Sequence, residues 1–279
     1  MRLRLFHAPD GARVAYREAG TGPPLVLLHS LLLSHREFAP IADDLAHRHR
    51  LVLPDLPGHG DSEDRPRHPY TRDWLVDVMS AFVRDVCGPR AAVGGHEAGA
   101  ELLLRAAATG RLRPRRMVLL ANRLHGSAPP SPLWRRWAAL ARMGAVPGAD
   151  RCAARATRHV MRTSLGPRLS ASGDPAAGDL VRHAFADVAG NPNVVRSWAK
   201  LVRGWPREAQ RDLLDAYAGI DARVLLLWSD EDPLHPLRAA EEAVDLFGDA
   251  QLRVLAGTGF LPAYDDPVGL AREISAFCG

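Results

Sequence analysis

The sequence contains few cysteines and almost no lysine. Its three cysteines, Cys87, Cys152 and Cys278, lie far apart and form no C-x-x-C motif, so neither a disulfide framework nor a thiolate metal site is predicted. Lys200 is the only lysine, and the net charge of +4 at pH 7 therefore comes from arginine. Histidines and carboxylates are scattered without the spacing of metal ligands, and we expect no metal.

Long apolar runs and basic patches mixed with aromatic residues are also missing. The sequence has no run of about 18 apolar residues, which is the length that could cross a membrane. The opening residues, MRLRLFHAPDG, have no apolar stretch of the length that a signal peptide needs. The densest basic cluster, from Arg111 to Arg116, has no interleaved aromatic residues, which argues against nucleic-acid binding. We therefore expect a cytoplasmic protein with neither a membrane nor a nucleic acid as partner.

Apolar strands alternate with amphipathic helices along most of the chain. The predicted strands are Arg2–His7, Arg13–Ala19, Pro24–His29, Arg50–Pro54, Arg90–Gly94, Arg116–Ala121, Arg223–Trp228 and Gln251–Ala256. The predicted helices are Ser34–His47, Thr71–Cys87, Glu97–Thr109, Pro236–Phe247 and Pro267–Phe277. This alternation is typical of an α/β protein whose mostly parallel sheet is covered on both faces.

The alternation breaks once, over residues 123–206. This stretch has a helical pattern rich in arginine, alanine and tryptophan, and proline and glycine interrupt it at HGSAPPSP, GAVPGAD and LGPRLSASGDPAAG. It predicts a helical cap inserted into a core that comprises residues 1–122 and 207–279.

Four stretches contain residues suited to a functional site. They are LVLLHSLLLSHREFAPIADDLA, LVLPDLPGHGDSEDRP, AAVGGHEAGAEL and VLLLWSDEDPLHP, in this order along the chain. Together they resemble the α/β-hydrolase fold family, which implies an eight-stranded, mostly parallel sheet with helices on both faces. The resemblance places Glu97 where that family has its nucleophile, in the frame Gly-x-nucleophile-x-Gly, and Asp232 where it has the triad acid.

The resemblance also implies that two parts of the usual catalytic triad are replaced. Counting back from Asp266-Pro267 in GTGFLPAYDDP puts Phe260 at the family's histidine position. A serine mechanism needs a hydroxyl oxygen, an imidazole to take its proton and a carboxylate to orient the imidazole. With glutamate and phenylalanine at two of these positions, we expect no serine-esterase reaction.

Glu97 is the residue on which the functional interpretation depends. Its place at a helix N-terminus favours the ionised form, whereas burial and the nearby Asp232 carboxylate should raise its pKa. If the two carboxyl groups interact closely they would share a proton, giving an acid and a base in one pocket. The alternative is that Glu97 folds back onto the backbone N–H groups of Leu31 and Ala98 and closes a dead site.

The remaining candidate residues are expected to line the substrate pocket rather than react. They are His29, Ser30, Leu31, Ala98, His125, His235 and Phe260. Simpler roles stay open for several of them: His29 as a structural histidine of the loop after the third strand, and His235 as an exposed loop residue. We expect His96, next to Glu97, to point away from the pocket.

Three functions fit these observations. The first is a cofactor-free enzyme that uses Glu97 and Asp232 for acid/base chemistry, such as cyclisation, isomerisation, elimination or decarboxylation, on a small apolar molecule. The second is a hydrolase in which Glu97 is the nucleophile, as aspartate is in haloalkane dehalogenases and epoxide hydrolases. The third is a non-catalytic ligand-binding protein. In each case we expect a small molecule as partner and a monomer or homodimer.

Overall fold

The central feature of the computed structural model, which describes residues 1–124, 139, 150–165, 169–186, 191–206 and 210–279, is one eight-stranded sheet. The strands are β1 (Arg2–His7), β2 (Arg13–Ala19), β3 (Pro24–Leu28), β4 (Arg50–Pro54), β5 (Ala92–Gly95), β6 (Arg116–Leu120), β7 (Arg223–Ser229) and β8 (Ala250–Leu255). Their order in the sheet is β1-β2-β4-β3-β5-β6-β7-β8. Strand β2 is antiparallel to β1 and β4, and the other pairs are parallel.

Helices cover both faces of the sheet. The described α-helices are α1 (Ala42–Ala46), α2 (Arg72–Phe82), α3 (Ala98–Ala108), α4 (Asp150–Val160), α5 (Pro175–Ala184), α6 (Pro192–Gly204), α7 (Leu214–Tyr217), α8 (Leu237–Ala243), α9 (Pro262–Asp265) and α10 (Pro267–Cys278). Side-chain caps define several starts: Thr71 accepts from Trp74 N at α2, and Asp266 accepts from Gly269 N at α10. Among the described residues, no helix is long and apolar enough to cross a bilayer.

The alternation of side chains along each strand divides the core into two layers. On β3, Leu25 and Leu27 pack in the layer that contains α1 and α10, whereas Val26 and Leu28 pack in the layer that contains α2 and α3. Because both faces of the parallel part of the sheet are buried, the central strands β3, β6 and β7 consist of continuous apolar runs, as the sequence predicts. The eight-stranded, mostly parallel sheet with helices on both faces that the sequence predicts is therefore the fold of the chain.

The carboxyl ends of the central strands meet at one edge of the sheet. Leu28 of β3 pairs with Gly95 of β5, which pairs in turn with Leu119 of β6. The segments that leave this edge carry the candidate residues. An open α/β sheet binds its ligands at this edge.

The described helices between β6 and β7 form an apolar layer above that edge. Leu180, Val181, Phe185 and Trp198 of these helices pack in one buried cluster with Phe260 and with Leu32 and Leu33 of the loop after β3. The Trp198 indole N–H also donates a hydrogen bond of 2.6 Å to the Gly58 carbonyl oxygen. These helices fall within the stretch for which the sequence predicts a cap. The limits of that cap stay a prediction, because parts of residues 123–206 lie outside the described residues.

Candidate active site

Glu97 lies at the sharp turn between β5 and α3. Its backbone has φ +46° and ψ −109°, a conformation that non-glycine residues seldom adopt and that costs about 1–3 kcal/mol. Backbone hydrogen bonds hold the turn: His96 N donates to Leu28 O at 3.0 Å, and Glu97 N donates to Ala121 O at 3.1 Å. The turn is thus fixed to the ends of the strands on both sides.

The glycines that flank this turn are required by close backbone packing. A Cβ atom on Gly99 would lie 2.2 Å from the Leu28 carbonyl oxygen, and one on Gly95 would lie 2.5 Å from the Gly99 carbonyl carbon. Helix α3 therefore starts in direct contact with β3 and β5, and only glycine permits this contact. This explains the Gly-x-Glu-x-Gly frame physically and shows why the apex side chain is placed at the sheet edge.

The carboxyl group of Glu97 is held by one of its two oxygens. Oε2 accepts hydrogen bonds from Leu31 N at 2.9 Å and from Ala98 N at 2.6 Å. Among the described residues, no group donates to Oε1. Glu97 thus folds back onto the backbone N–H groups of Leu31 and Ala98, which is the contact expected from the sequence for the alternative of a closed, non-catalytic site. The two N–H groups converge as the donors of an oxyanion hole do, and the Glu97 carboxyl occupies them.

Several charged groups act on Glu97, and their net effect raises its pKa above the ordinary value of 4.5. Burial contributes most, and the Glu101 carboxylate acts in the same direction. Arg123, the N–H of Leu31 and the charge of His235 oppose them. Arg123 also binds the buried Glu101 with two hydrogen bonds, Nε to Oε1 at 2.7 Å and Nη2 to Oε2 at 2.9 Å.

Asp232 pairs with His235 rather than with Glu97. Oδ2 accepts from His235 Nδ1 at 2.8 Å, while Oδ1 accepts from Leu234 N at 2.7 Å and His235 N at 3.3 Å. Burial alone would raise the pKa of Asp232, but the hydrogen bond and charge of His235 hold it below the ordinary 3.8. Among the described residues, the hydrogen bonds of Asp232 do not include Glu97, so the close interaction on which a shared proton would depend is not among these contacts.

His235 is buried and fixed on both sides. Its side chain is 4% exposed, in contrast to the exposed loop residue considered from the sequence, and its carbonyl oxygen accepts from the Trp228 indole N–H at 3.0 Å. Its ring stacks on Phe260, with centroids 5.9 Å apart and planes at 23°. Phe260 contacts His96 on another side, at 4.6 Å between centroids. Phe260 therefore separates two histidines within the apolar cluster that it forms with the described helices between β6 and β7.

His96 forms a buried ion pair with Glu37. Its Nδ1 contacts Glu37 Oε1, and Glu37 Oε2 accepts from Ser30 N at 2.7 Å and from Ser30 Oγ at 2.9 Å. Burial opposes both charges, yet the partners prevail: the pKa of His96 is raised and that of Glu37 is lowered. Ser30 thus acts through the ion pair and holds the loop that carries Leu31.

Two further histidines hold backbone rather than face a ligand. His29 contacts Ser30 O through Nδ1 at 2.7 Å and accepts from Leu56 N at Nε2, at 2.9 Å. His59 Nε2 accepts from Leu32 N at 3.0 Å, and burial lowers the pKa of His59 to about 3, so it stays neutral. The structural interpretation of His29 matches these contacts. His125 lies outside the described residues.

One group of described residues has the composition of a cation site, namely His35, Asp55 and Asp61. The Asp55 oxygens already accept from His35 N at 2.6 Å and from Asp61 N at 2.9 Å, and they contact His35 Nδ1 at 2.9 Å. A Cβ on Gly60 would lie 2.4 Å from the Asp55 carboxyl carbon. The group therefore holds the loop after β4 together.

Sequence reasoning missed three charged residues around the turn: Glu37, Glu101 and Arg123. Glu101 follows Glu97 at the i+4 spacing of one helix face, a signal that could have been used. Arg123 comes three residues after the end of β6, at the same sheet edge as Glu97. Glu37 gives no such signal, because its contacts with Ser30 and His96 depend on how the loop after β3 folds.

Comparison with known proteins is consistent with this geometry. An uncharacterized protein of Mycobacterium tuberculosis is 25% identical over 284 aligned positions, covering 98% of this chain and 80% of that protein. A thermophilic esterase from Thermogutta terrifontis has a TM-score of 0.79 at 19% identity, over 99% of this chain and 97% of its own. An epoxide hydrolase has a TM-score of 0.78 at 20% identity, over 99% of this chain and 98% of its own. Residues 23–267 match the family model described as alpha/beta hydrolase fold, and the chain belongs to that family.

Proposed function

We propose that the chain is an enzyme that carries out proton-transfer chemistry, without hydrolysis, on a small and largely apolar organic molecule. Glu97 is the residue that takes and returns the proton. The observation that supports this most is the asymmetry of its carboxyl group: Leu31 N and Ala98 N hold Oε2, while Oε1 has no donor among the described residues. A carboxylate fixed in this way presents one basic oxygen in a defined direction.

The same contacts argue against acyl transfer by a serine-type mechanism. Such a mechanism needs two N–H donors to bind the oxyanion of the tetrahedral intermediate. Here the Glu97 carboxyl occupies these donors, and we place Phe260 at the position of the usual base. Hydrolysis of simple esters through an acyl-enzyme at position 97 is therefore not part of the proposal.

The surroundings of Glu97 suit a base for weakly acidic C–H groups. Burial raises its pKa, and a carboxylate with a higher pKa removes a proton more effectively. Phe260, with Leu32 and Leu33, belongs to the apolar cluster beneath the described cap helices, so the site favours an apolar substrate. The substrate class we propose is therefore an uncharged organic molecule with an acidified C–H bond.

The test uses 5-nitrobenzisoxazole, an apolar probe that needs only a base. When a base removes its one heteroaromatic C–H proton, the N–O bond breaks and a coloured cyanophenolate forms. We expect Glu97→Gln to lower the rate by about 10²-fold or more, since general-base catalysis contributes typically about 10²- to 10⁴-fold. Glu241→Gln, which changes an exposed glutamate of α8, serves as the matched control and should leave the rate unchanged. Equal rates for Glu97→Gln and wild type would show that Glu97 is not the base.

A second candidate function is hydrolysis with Glu97 as nucleophile. The observation that favours it is the buried His235 on Asp232, because an imidazole held in this way could activate the water that cleaves an ester on Glu97. Oε1 would attack an epoxide carbon while the C–O bond breaks, and the freed oxygen would take a proton from His235 Nε2. Water would then hydrolyse the ester and return a proton to Nε2. A single turnover of styrene oxide in H₂¹⁸O would leave ¹⁸O in the peptide that contains Glu97. Absence of the label during diol formation would exclude this route.

A further inference from the structure

We propose that His235 is the second proton-transfer residue of this site and that it replaces the histidine that the family has at the position of Phe260. This inference rests on the proposed function, because it assigns His235 as the partner of Glu97. It concerns a residue that the sequence indicated only as a pocket-lining or exposed histidine. Asp232 is then a positioning residue.

The contacts of Asp232 fix the tautomer of His235. An ionised carboxylate only accepts hydrogen bonds, so the contact of 2.8 Å from Asp232 Oδ2 requires the proton on Nδ1. The ring then presents Nε2 as its second functional nitrogen. Asp232 itself is held by the backbone N–H groups of Leu234 and His235. A carboxylate, an oriented imidazole and an exchangeable Nε2 make up the base portion of a triad.

Phe260 determines where this ring lies. The two rings are nearly parallel at 5.9 Å, so His235 lies beside the aromatic ring that we place at the usual histidine position. No described residue forms a hydrogen bond with His235 Nε2. Phe260 also contacts the ring of His96, the neighbour of Glu97, at 4.6 Å between centroids, so this aromatic ring links His235 to the turn that carries Glu97. A short loop after β7 therefore supplies an imidazole to the site from the same segment as its carboxylate.

The proposed step is a balanced enolisation of a carbonyl compound, with His235 protonated and Glu97 ionised at the start. Glu97 Oε1 takes a proton from carbon, the C–H electrons form a C=C bond, and the carbonyl oxygen receives the proton of His235 Nε2. In the reverse step, Nε2 recovers the hydroxyl proton and Glu97 returns its proton to a different carbon. Both residues regain their initial states, and the net reaction is an isomerisation.

The experiment introduces a nucleophile that depends on an imidazole within reach of position 97. Glu97→Ser removes the carboxyl from the Leu31 and Ala98 N–H groups and supplies a hydroxyl. With p-nitrophenyl acetate, Nε2 of His235 would take the hydroxyl proton while the oxygen bonds to the carbonyl carbon, and the departing phenolate would receive that proton. Water would then cleave the acyl ester, passing its proton through Nε2 to the released hydroxyl.

The expected result is esterase activity in Glu97→Ser that falls by about 10²-fold or more in Glu97→Ser/His235→Gln. Glu97→Ser/His183→Gln, which changes an exposed histidine of α5, is the matched control and should keep the activity. Glu97→Ser/Phe260→His restores a histidine at the proposed family position and tests whether the remodelled site is competent. If Glu97→Ser is inactive while Glu97→Ser/Phe260→His is active, the proposed role of His235 is overturned.

A second measurement decides the matter if neither serine variant is active. The ¹⁵N resonance of His235 Nε2 should shift between wild type and Glu97→Gln, while that of His183 should not. An unchanged Nε2 resonance would overturn the proposal. Failure of the proposed function is a separate outcome. It would be seen if Glu97→Gln turned over 5-nitrobenzisoxazole at the wild-type rate, whatever the outcome of the serine variants.

Discussion

At the scale of single residues, the buried pair of Glu37 and His96 supports the loop that reaches Glu97. Glu37 joins Ser30, one residue before Leu31, to His96, one residue before Glu97. Both donors to Glu97 therefore depend on this pair, Leu31 through the chain on one side and Ala98 through the turn on the other. A buried charge whose partner is removed is strongly destabilising, whereas removing both charges is much less so.

We predict that His96→Gln lowers the free energy of unfolding by about 3–5 kcal/mol near pH 6, because Glu37 then remains as a buried charge. The sign with pH follows from the two pKa directions. The pKa of His96 is raised from 6.5, so His96 contributes fully to the free energy of unfolding below pH 6.5. This contribution is lost as the pH rises through the raised pKa. The pKa of Glu37 is lowered from 4.5, so Glu37 contributes fully to the free energy of unfolding above pH 4.5. This contribution is lost as the pH falls through the lowered pKa. Urea unfolding of His96→Gln, of Glu37→Gln and of the double variant measures the coupling, and additive losses would contradict the pairing.

At the scale of elements, the strands and helices of the core could be predicted closely, whereas the contacts within the site could not. Strands β1, β2 and β4 begin and end where the sequence predicts, and in β4 burial on the sheet leaves a continuous apolar run as a local pattern. The turn at Glu97 could be predicted from its glycines. The pairing of Asp232 with His235 could not, since it depends on the fold of an irregular loop after β7. The pairing of Glu101 with Arg123 joins two elements and leaves no periodic signal.

The close contact of α3 with β3 gives a prediction for Gly99→Ala. Its Cβ would lie 2.2 Å from the Leu28 carbonyl oxygen, and backbone on both sides cannot yield without moving the turn. We expect a loss of about 1–3 kcal/mol in unfolding free energy, together with loss of the Glu97-dependent turnover of the benzisoxazole probe. Gly178→Ala in α5 is the control, because its Cβ would meet only the end of the Arg182 side chain at 3.3 Å. That variant should be neutral or slightly more stable, and an unaffected Gly99→Ala would refute the packing explanation.

At the scale of the whole molecule, buried neutral histidines determine how the fold responds to mild acid. Burial lowers the pKa of His29, His49 and His59, the last to about 3, so the folded chain resists their protonation while the unfolded chain accepts it near 6.5. Between pH 6.5 and 3 the unfolded state therefore binds more protons, and stability decreases as the pH falls. Glu97 and His96, whose pKa values are raised, act in the opposite direction.

We predict that the free energy of unfolding is lower at pH 5 than at pH 6.5, with His59 alone contributing about 2 kcal/mol to the difference, since one pKa unit corresponds to about 1.4 kcal/mol. Urea unfolding at the two pH values measures it. His49→Gln removes one of these three histidines. His49 Nε2 has no hydrogen-bond partner among the described residues, so the substitution removes no hydrogen bond at that nitrogen. The pH dependence of this variant should be weaker than that of wild type, whereas His47→Gln, at an exposed position, should leave it unchanged. Equal stability of the wild-type chain at pH 5 and 6.5 would mean that these histidines take up protons in the folded state.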